Sequence, residues 1–204
     1  MRRVVIRWSK RAAAGLAIAL VAGLGVRAWD SLSGPPLEPW HTYVPTELTA
    51  GEIARTDWNG YLAAERAAFD EVRREVSGKL APRARVSSNR YFEGGLLDPT
   101  RFATDWNRSF VLEPGGAPKG AVVLLHGLTD SPYSMRGVAR RYRERGFVAV
   151  VPRLPGHGTV PAGLTDVDWE AWSQATRLAV REATRRAGAG APLHVVGYSN
   201  GGAL

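Results

Sequence analysis

The chain has 204 residues, 45% of them hydrophobic and 23% charged, a composition typical of globular proteins and not of disordered or collagen-like chains. The net charge of +8 does not indicate a nucleic-acid partner. Five of the 27 basic residues lie in the first eleven positions, and the rest of the chain is nearly balanced, with 22 basic and 19 acidic residues. There is no cysteine, which excludes disulfides, thiolate metal sites and a cysteine nucleophile.

The first thirty residues have the order of an export signal, because basic residues precede the uncharged run Ala12–Val26. As a helix this run spans roughly 22 Å, less than the roughly 30 Å of a bilayer core, but Trp8 and Trp29 would suit the two interfaces of an uncleaved anchor. The small residues at either end of VRA, positions 26–28, also suit a signal peptidase. Residues 1–30 are therefore predicted to be a signal peptide or a membrane anchor. Of the two, we slightly favour the anchor. Either function makes the protein membrane-anchored or exported, on the periplasmic or extracellular side.

Residues 31–84 are predicted to contain a linker and one amphipathic helix. The linker is the Pro-rich stretch 31–45. Thr49 and Glu52 form a capping-box pattern that begins the helix, and Gly78 is the expected stop. Apolar residues recur between them at helical spacing, namely Trp58, Leu62, Phe69, Val72 and Val76.

Residues 85–204 are predicted to form a domain that alternates strands and helices. It begins with two antiparallel strands, RVSSNRYFE and RSFVLEP. Three continuous apolar runs follow, AVVLLH, FVAVVP and LHVVGYS, each expected to be a strand buried on both faces. One helix is predicted from Ser131 to Gly146, and another from Asp166 or Asp168 to Gly188. This order indicates an α/β fold with a mostly parallel sheet and flanking helices.

The sequence after the last strand is typical of a nucleophile turn. Gly197-Tyr198-Ser199-Asn200-Gly201 fits G-x-S-x-G and follows a strand, as the motif requires. Glycine avoids the crowding that a Cβ would cause in so sharp a turn, and the serine is held in a strained conformation with its hydroxyl exposed. By itself the pentapeptide also fits a phosphate-binding or merely structural turn.

A second motif supports hydrolytic chemistry. The segment LLHGLTDSP places His126 and Gly127 at the end of the first buried strand. Gly127 lets the backbone approach the turn, so that the amide of Leu128 supplies one oxyanion donor and the amide of Asn200 the other. In this interpretation Ser199 is the nucleophile, and His126, Gly127, Gly197 and Gly201 support the site.

The segments VLLHGLTDSPYSMR, VVPRLPGHGTVPAGL, DWEAW and VVGYSNGG, in this order, resemble the α/β-hydrolase superfamily. The resemblance is strongest to its bacterial carboxylesterase and monoacylglycerol-lipase-like branch, often labelled serine aminopeptidase S33, and covers residues 119–204. It implies the α/β-hydrolase fold, a small-molecule ester substrate, an acyl-enzyme intermediate and no metal or organic cofactor. It also implies that His157, in PGHG, shapes a loop near the site. Asn200 stands where the family usually has Met or Leu, a change that keeps the backbone donor.

The order of the catalytic residues along the chain indicates whether a whole catalytic triad is present in these 204 residues. In this superfamily the catalytic Asp or Glu and then the His follow the serine. All four histidines precede Ser199, namely His41, His126, His157 and His194. We therefore expect the sequence to be the N-terminal part of a longer hydrolase, ending after the nucleophile turn and lacking the triad Asp and His.

Other functions remain open at this point. A peptidase or amidase of the same fold would share every motif. A non-catalytic exported binding module would keep the sheet and lose the acid or the His. A nucleotide-binding βαβ protein is disfavoured because HGLTDS lacks both G-x-G-x-x-G and the Walker lysine. A dehalogenase of this fold would be expected to carry Asp at position 199.

Overall fold

The computed structural model describes residues 2–34 and 36–204, which form two units, Met1–Leu37 and Glu38–Leu204. The first unit contains helix α1 (Arg2–Leu32). Its stretch Lys10–Leu32 is long and apolar enough to cross a membrane, with a mean hydropathy of 1.7. The same property is found in signal sequences, so α1 is a candidate for either function.

The second unit begins with three helices, α2 (Pro39–Thr42), α3 (Ala50–Arg55) and α4 (Trp58–Glu75). The predicted capping box is present, because Glu52 accepts from the Thr49 amide at 2.8 Å and the Thr49 side chain accepts from the Glu52 amide. The prediction of one helix across this segment is wrong. Asp57 starts a second helix by accepting from the amide of Gly60 at 2.8 Å, and this new cap separates α4 from α3.

Four strands form one sheet, β1 (Phe110–Leu112), β2 (Gly120–Leu125), β3 (Phe147–Val151) and β4 (Leu193–Gly197). Their order across the sheet is β1-β3-β2-β4. Strand β2 is parallel to both β3 and β4, whereas β1 is antiparallel to β3. The mostly parallel α/β sheet predicted from the sequence is confirmed.

Two helices connect the parallel strands, α5 (Arg136–Glu144) and α6 (Trp169–Ala187). The predicted limits of α6 are confirmed, because Asp168 caps it by accepting from the Ala171 amide at 2.8 Å, and Gly188 ends it with φ = +90°. Helix α5 begins later than predicted. A 3₁₀ turn, Pro132–Met135, precedes it, and the side chain of Ser131 caps neither element.

The two faces of the sheet are covered by different helices. Val123 of β2 and Val150 of β3 pack with α6 and with residues of α3 and α4, while Val122 and Ala149 face α5 on the other side. Strands β2 and β3 are thus buried on both faces, as their apolar runs predict. Strand β4 lies at the edge of the described sheet and leaves Val195 54% exposed, so it is not buried on both faces within these residues.

The predicted strand RVSSNRYFE is also wrong, because residues 85–93 form turns. The side-chain amide of Asn89 donates to the carbonyl of Ala84 at 2.8 Å, and its oxygen accepts from the amide of Tyr91 at 3.0 Å. These local bonds occupy backbone groups that a strand would use for pairing. Only β1 remains from the predicted antiparallel pair, and it pairs with β3.

A buried guanidinium joins Glu47, before α3, and Glu65, on α4, to the loop after β3. Arg153 has only 1% of its side chain exposed and binds Glu47 in a bidentate pair, at 2.7 and 2.8 Å. Its Nε lies 3.3 Å from a carboxylate oxygen of Glu65 on α4, and its Nη1 donates to the carbonyl of His157. Burial alone would lower the pKa of Arg153, but the two carboxylates outweigh it and raise the pKa above its usual value.

Replacing Arg153 with Met should reduce the free energy of unfolding by about 3–5 kcal/mol, because the carboxylates of Glu47 and Glu65 would then be buried without a counter-charge. Chemical denaturation of the intact protein measures this loss. The matched control is Arg141→Met, whose ion pair with Glu144 is largely exposed, and which should change little. Equal losses in the two variants would contradict a structural role for the buried pair.

Candidate active site

The turn after β4 holds Ser199 in an uncommon backbone conformation. Strand β4 ends at Gly197, and a 3₁₀ turn, Ser199–Gly202, begins two residues later. Ser199 lies at the start of that turn with φ = +51° and an exposed side chain. A non-glycine residue in the left-handed region costs about 1–2 kcal/mol, a strain that occurs preferentially at functional sites.

Close backbone contacts explain both glycines of the motif. A Cβ at Gly197 would lie 2.1 Å from the carbonyl oxygen of Gly201. A Cβ at Gly201 would lie 2.5 Å from the carbonyl oxygen of Leu125, at the end of β2. Both distances are well below a possible contact, so only glycine lets the turn fold back on β4 and pack on β2.

The loop after β2 lies beside this turn. The amide of Tyr198 donates to the carbonyl of Leu125 at 3.0 Å, which fixes the turn to the end of β2. A Cβ at Gly127 would lie only 3.4 Å from the Cβ of Ser199. Thr129, two residues after Gly127, has φ = +57°, and among residues 2–34 and 36–204 it and Ser199 are the two non-glycine residues with positive φ. The strained positions thus lie on two neighbouring loops.

The amides predicted to bind an oxyanion are not used within the fold. Neither the N–H of Leu128 nor that of Asn200 donates a hydrogen bond to another group of the described chain. For Asn200 the reason is its place in the first turn of a helical segment, where amides have no partner inside the helix. Leu128 is 51% exposed at the same edge of the sheet.

The side chain of His126 is buried and fixes the loop after β2. Its Nε2 accepts from the amide of Leu154 at 3.1 Å, so in the neutral ring the proton is on Nδ1, which donates to the carbonyl of Gly127 at 3.0 Å. Burial lowers the pKa of His126 to about 4, against a small opposing effect of the Gly127 carbonyl. The ring is therefore neutral at pH values near 7.

The other histidines also have partners away from Ser199. His157 is buried, its Nδ1 lies 3.0 Å from the carbonyl of Pro155, and burial lowers its pKa. Its ring packs between those of His126 and Trp172. His41 contacts Trp40, and His194 faces Tyr142. The structure therefore brings together residues 125–127 and 197–201, and gives all four histidines other contacts.

A cleft of about 270 Å³ opens between the loop after β2 and the loop after β3. Its walls include Thr129 and Ser131 after β2 and His157 after β3, with Val160 and Leu164 as apolar neighbours. In the described part of the chain no three His, Cys, Asp or Glu side chains are grouped in a way that would hold a metal ion. The cleft presents hydroxyl and apolar groups, together with the charged side chains of Arg90 and Asp130, next to the buried ring of His157.

The sequence did not reveal how the loop after β3 is held. Arg153 is bound by Glu47 and Glu65, which are 106 and 88 residues away in the chain. No spacing rule links such distant residues. The family resemblance implies that PGHG, residues 155–158, lies near the site, but nothing in its composition identifies the two acids that hold this loop.

Comparison with known proteins agrees with this architecture. A model of the alpha/beta hydrolase family matches residues 122–204. A thermostable monoacylglycerol lipase of Bacillus sp. (strain H-257) is 47% identical over 49 residues, 23% of this chain and 20% of the relative. A carboxylesterase of Bacillus subtilis (strain 168) is 38% identical over 52 residues, 26% of this chain and 21% of the relative. The magnesium-chelatase 30 kDa subunit of Rhodobacter capsulatus is 33% identical over 110 residues, 49% of this chain and 32% of the relative.

The family match over residues 122–204 and the lipase and carboxylesterase relatives support an α/β-hydrolase of the carboxylesterase and lipase type for this part of the chain. The chain spans between a fifth and a third of the length of these curated relatives. The fold and family agree with the resemblance noted in the sequence.

Replacing Gly197 with Ala should destabilise the protein by about 1–3 kcal/mol or more and distort the turn, because the new methyl group would overlap the carbonyl of Gly201. The matched control is Gly202→Ala, where the nearest atom to a new Cβ is 3.5 Å away. Denaturation midpoints of the two variants provide the measurement. A Gly197→Ala protein as stable as the control would show that the turn is not close-packed.

Proposed function

We propose that the protein containing this chain is a serine hydrolase that cleaves carboxylic esters through an acyl-enzyme intermediate, with Ser199 as the nucleophile. The observation that supports this most is the position of Ser199, strained and exposed, against the glycine of the loop after β2. In the proposed reaction the Ser199 hydroxyl attacks the ester carbonyl and loses its proton to a base. The alcohol then leaves, and water releases the acid.

The developing oxyanion would be held by the amides of Leu128 and Asn200. Both are unpartnered within the described chain, and a donor that is already free does not have to break another bond during the reaction. Each such donor contributes about 3 kcal/mol of transition-state stabilisation in well-studied hydrolases. The side chain at position 200 is not required for this role.

His126 would act as a positioning residue through one peptide group. In a planar trans peptide the C=O and the N–H point in opposite directions, so the bond from His126 to the Gly127 carbonyl also fixes the direction of the Leu128 amide. Rotation of the peptide plane between Gly127 and Leu128 would point the Leu128 N–H away and remove one oxyanion donor. The bond from the Leu154 amide holds the His126 ring in the tautomer that can donate.

The base and its acidic partner are assigned by this proposal to residues beyond Leu204. The four histidines up to that position have other partners, and the chain spans only a fifth of the lipase and esterase relatives. The names of those two relatives are consistent with an ester substrate. The name of the magnesium-chelatase subunit does not mention an ester substrate. A direct assay of hydrolysis is therefore essential.

Replacing Ser199 with Ala should abolish hydrolysis of a chromogenic short-chain acyl ester by the intact protein, with a loss of roughly four to six orders of magnitude. The control is Ser134→Ala, which removes an exposed hydroxyl after the neighbouring strand and should keep full activity. Unchanged turnover by the Ser199→Ala variant would refute the assignment. Faster cleavage of an aminoacyl anilide than of the ester, measured in parallel, would refute the choice of substrate.

Replacing His126 with Phe should lower kcat by about 10²-fold with little change in KM, because the lost contact acts on the oxyanion and not on the bound substrate. The affinity for a trifluoromethyl ketone, which forms the tetrahedral adduct, should fall in parallel. His126→Asn, which can still accept and donate, should restore part of the rate. The control is His194→Phe, on the edge strand. A folded His126→Phe variant with normal kcat would contradict the positioning role.

A further inference from the structure

Residues 85–109 form an irregular segment whose outer part exposes large apolar side chains. The segment folds on itself, since the amide of Leu96 donates to the carbonyl of Ser87, and Asp98 accepts from the amides of Gly94 and Thr100. Leu96 and Phe102 are nevertheless 66% and 59% exposed. An ordered loop that holds such side chains in water indicates a surface that meets something apolar.

Phe102 borders an open groove of about 730 Å³, and Leu96 lies next in the chain to another residue of its wall. Leu97, Phe102 and Trp106 line it from the irregular segment, and Tyr133 lines it from the turn before α5. Leu97 and Tyr133 are about half exposed. The groove is therefore an apolar and aromatic surface open to its surroundings.

The same groove is positively charged. Arg90, Arg136 and Arg140 line it, and among the residues that the structure describes none of the three forms an ion pair with a carboxylate. Arg136 lies over the ring of Tyr133 at 3.6 Å, and Arg140 lies 5.3 Å from the ring of Trp106.

One acidic side chain, Asp105, also lines the groove, but it is bound to Arg108 at 3.2 Å. The groove thus carries three guanidinium groups that no carboxylate of the described chain pairs with. Such a charge distribution attracts a negatively charged partner.

We propose that this face, defined by Leu96, Leu97, Phe102, Tyr133, Arg136 and Arg140, docks on the surface of a bilayer that contains anionic phospholipids. Exposed leucine and aromatic side chains flanked by arginine suit the boundary between acyl chains and headgroups, where the apolar groups enter and the guanidinium groups bind phosphate. The candidate membrane-spanning stretch Lys10–Leu32 is a second, separate reason to choose a bilayer over a soluble partner.

Docking in this way would place the candidate active site next to lipid. The irregular segment is joined to the loop after β2 by the bond from the Ser131 hydroxyl to the side-chain oxygen of Asn107, at 3.0 Å. That loop also carries the half-exposed Leu128. If the proposed function holds, the ester substrate would be an acyl ester taken from the membrane. The docking itself does not depend on that function.

A direct test is possible because residues 1–204 contain no cysteine, so that one introduced cysteine can be labelled selectively in this chain. Leu97→Cys, carrying an environment-sensitive fluorophore, is reconstituted as the full chain in vesicles of phosphatidylcholine, with or without phosphatidylglycerol. The control label is at Thr184→Cys, exposed on α6 across the sheet from the groove. Label 97 should shift to the blue and be quenched by nitroxide lipids in the anionic vesicles, and label 184 should not.

Charge is tested by the double variant Arg136→Gln and Arg140→Gln. Each arginine removed should reduce the equilibrium constant for docking by about fivefold, and added salt should act in the same direction. The control double variant, Arg177→Gln and Arg181→Gln, removes the same charge from exposed positions on α6 and should have little effect.

Three results would overturn the proposal. Label 97 could remain unquenched in anionic vesicles, or labels 97 and 184 could respond equally. Label 97 could also respond to dodecyl phosphate below its micelle concentration but not to vesicles, which would assign the groove to a single amphiphile. None of these measurements uses catalysis, so they are independent of the Ser199 experiment. Hydrolysis of a water-soluble ester should be unaffected by the double arginine variant.

Discussion

Backbone packing between the turn after β4 and the end of β2 decides where the hydroxyl of Ser199 stands. With hydrogen as the side chain, Gly197 and Gly201 let the chain reverse within a few residues and lie against the carbonyls of Leu125 and His126. The strained φ of Ser199 is maintained because these contacts leave the turn no relaxed alternative. The free amide of Asn200 follows from the same geometry, since a helical segment that begins at this point has unpartnered N–H groups.

A second set of contacts extends from this edge of the sheet to the segment that contains α3 and α4. Glu47 and Glu65 hold Arg153, the next residue donates its amide to His126, and His126 binds the carbonyl of Gly127 beside Ser199. The contacts measure 2.7 to 3.3 Å, and the groups are largely buried, so this set of residues forms one continuous packed network. The segment before the sheet is thus structurally part of the site's surroundings. Its acids stabilise the loop after β3, and the irregular segment that follows α4 borders the loop after β2.

Sequence reasoning succeeded where the determining interactions are local. Asp168 and Gly188 mark the ends of α6 because capping and the left-handed stop depend on neighbouring residues only. The turn at 197–201 was recognisable for the same reason. The prediction is wrong at residues 85–93. Their β-branched and aromatic residues indicate a strand, but the Asn89 side chain binds the backbone instead. The apolar run of β4 predicts the strand correctly, but it does not reveal which neighbours cover the strand. The ion pairs of Arg153 were unpredictable because their partners are far apart in sequence.

The central claim is that the hydroxyl of Ser199 is the reactive group of this fold. The most direct measurement treats the intact protein with a fluorophosphonate and locates the adduct by mass spectrometry of the peptide that follows Arg186. We expect one stoichiometric phosphonyl group on Ser199, because only a nucleophile activated in its own site reacts at low reagent concentration. An adduct on another residue, or none on Ser199 under conditions in which the protein hydrolyses esters, would contradict it.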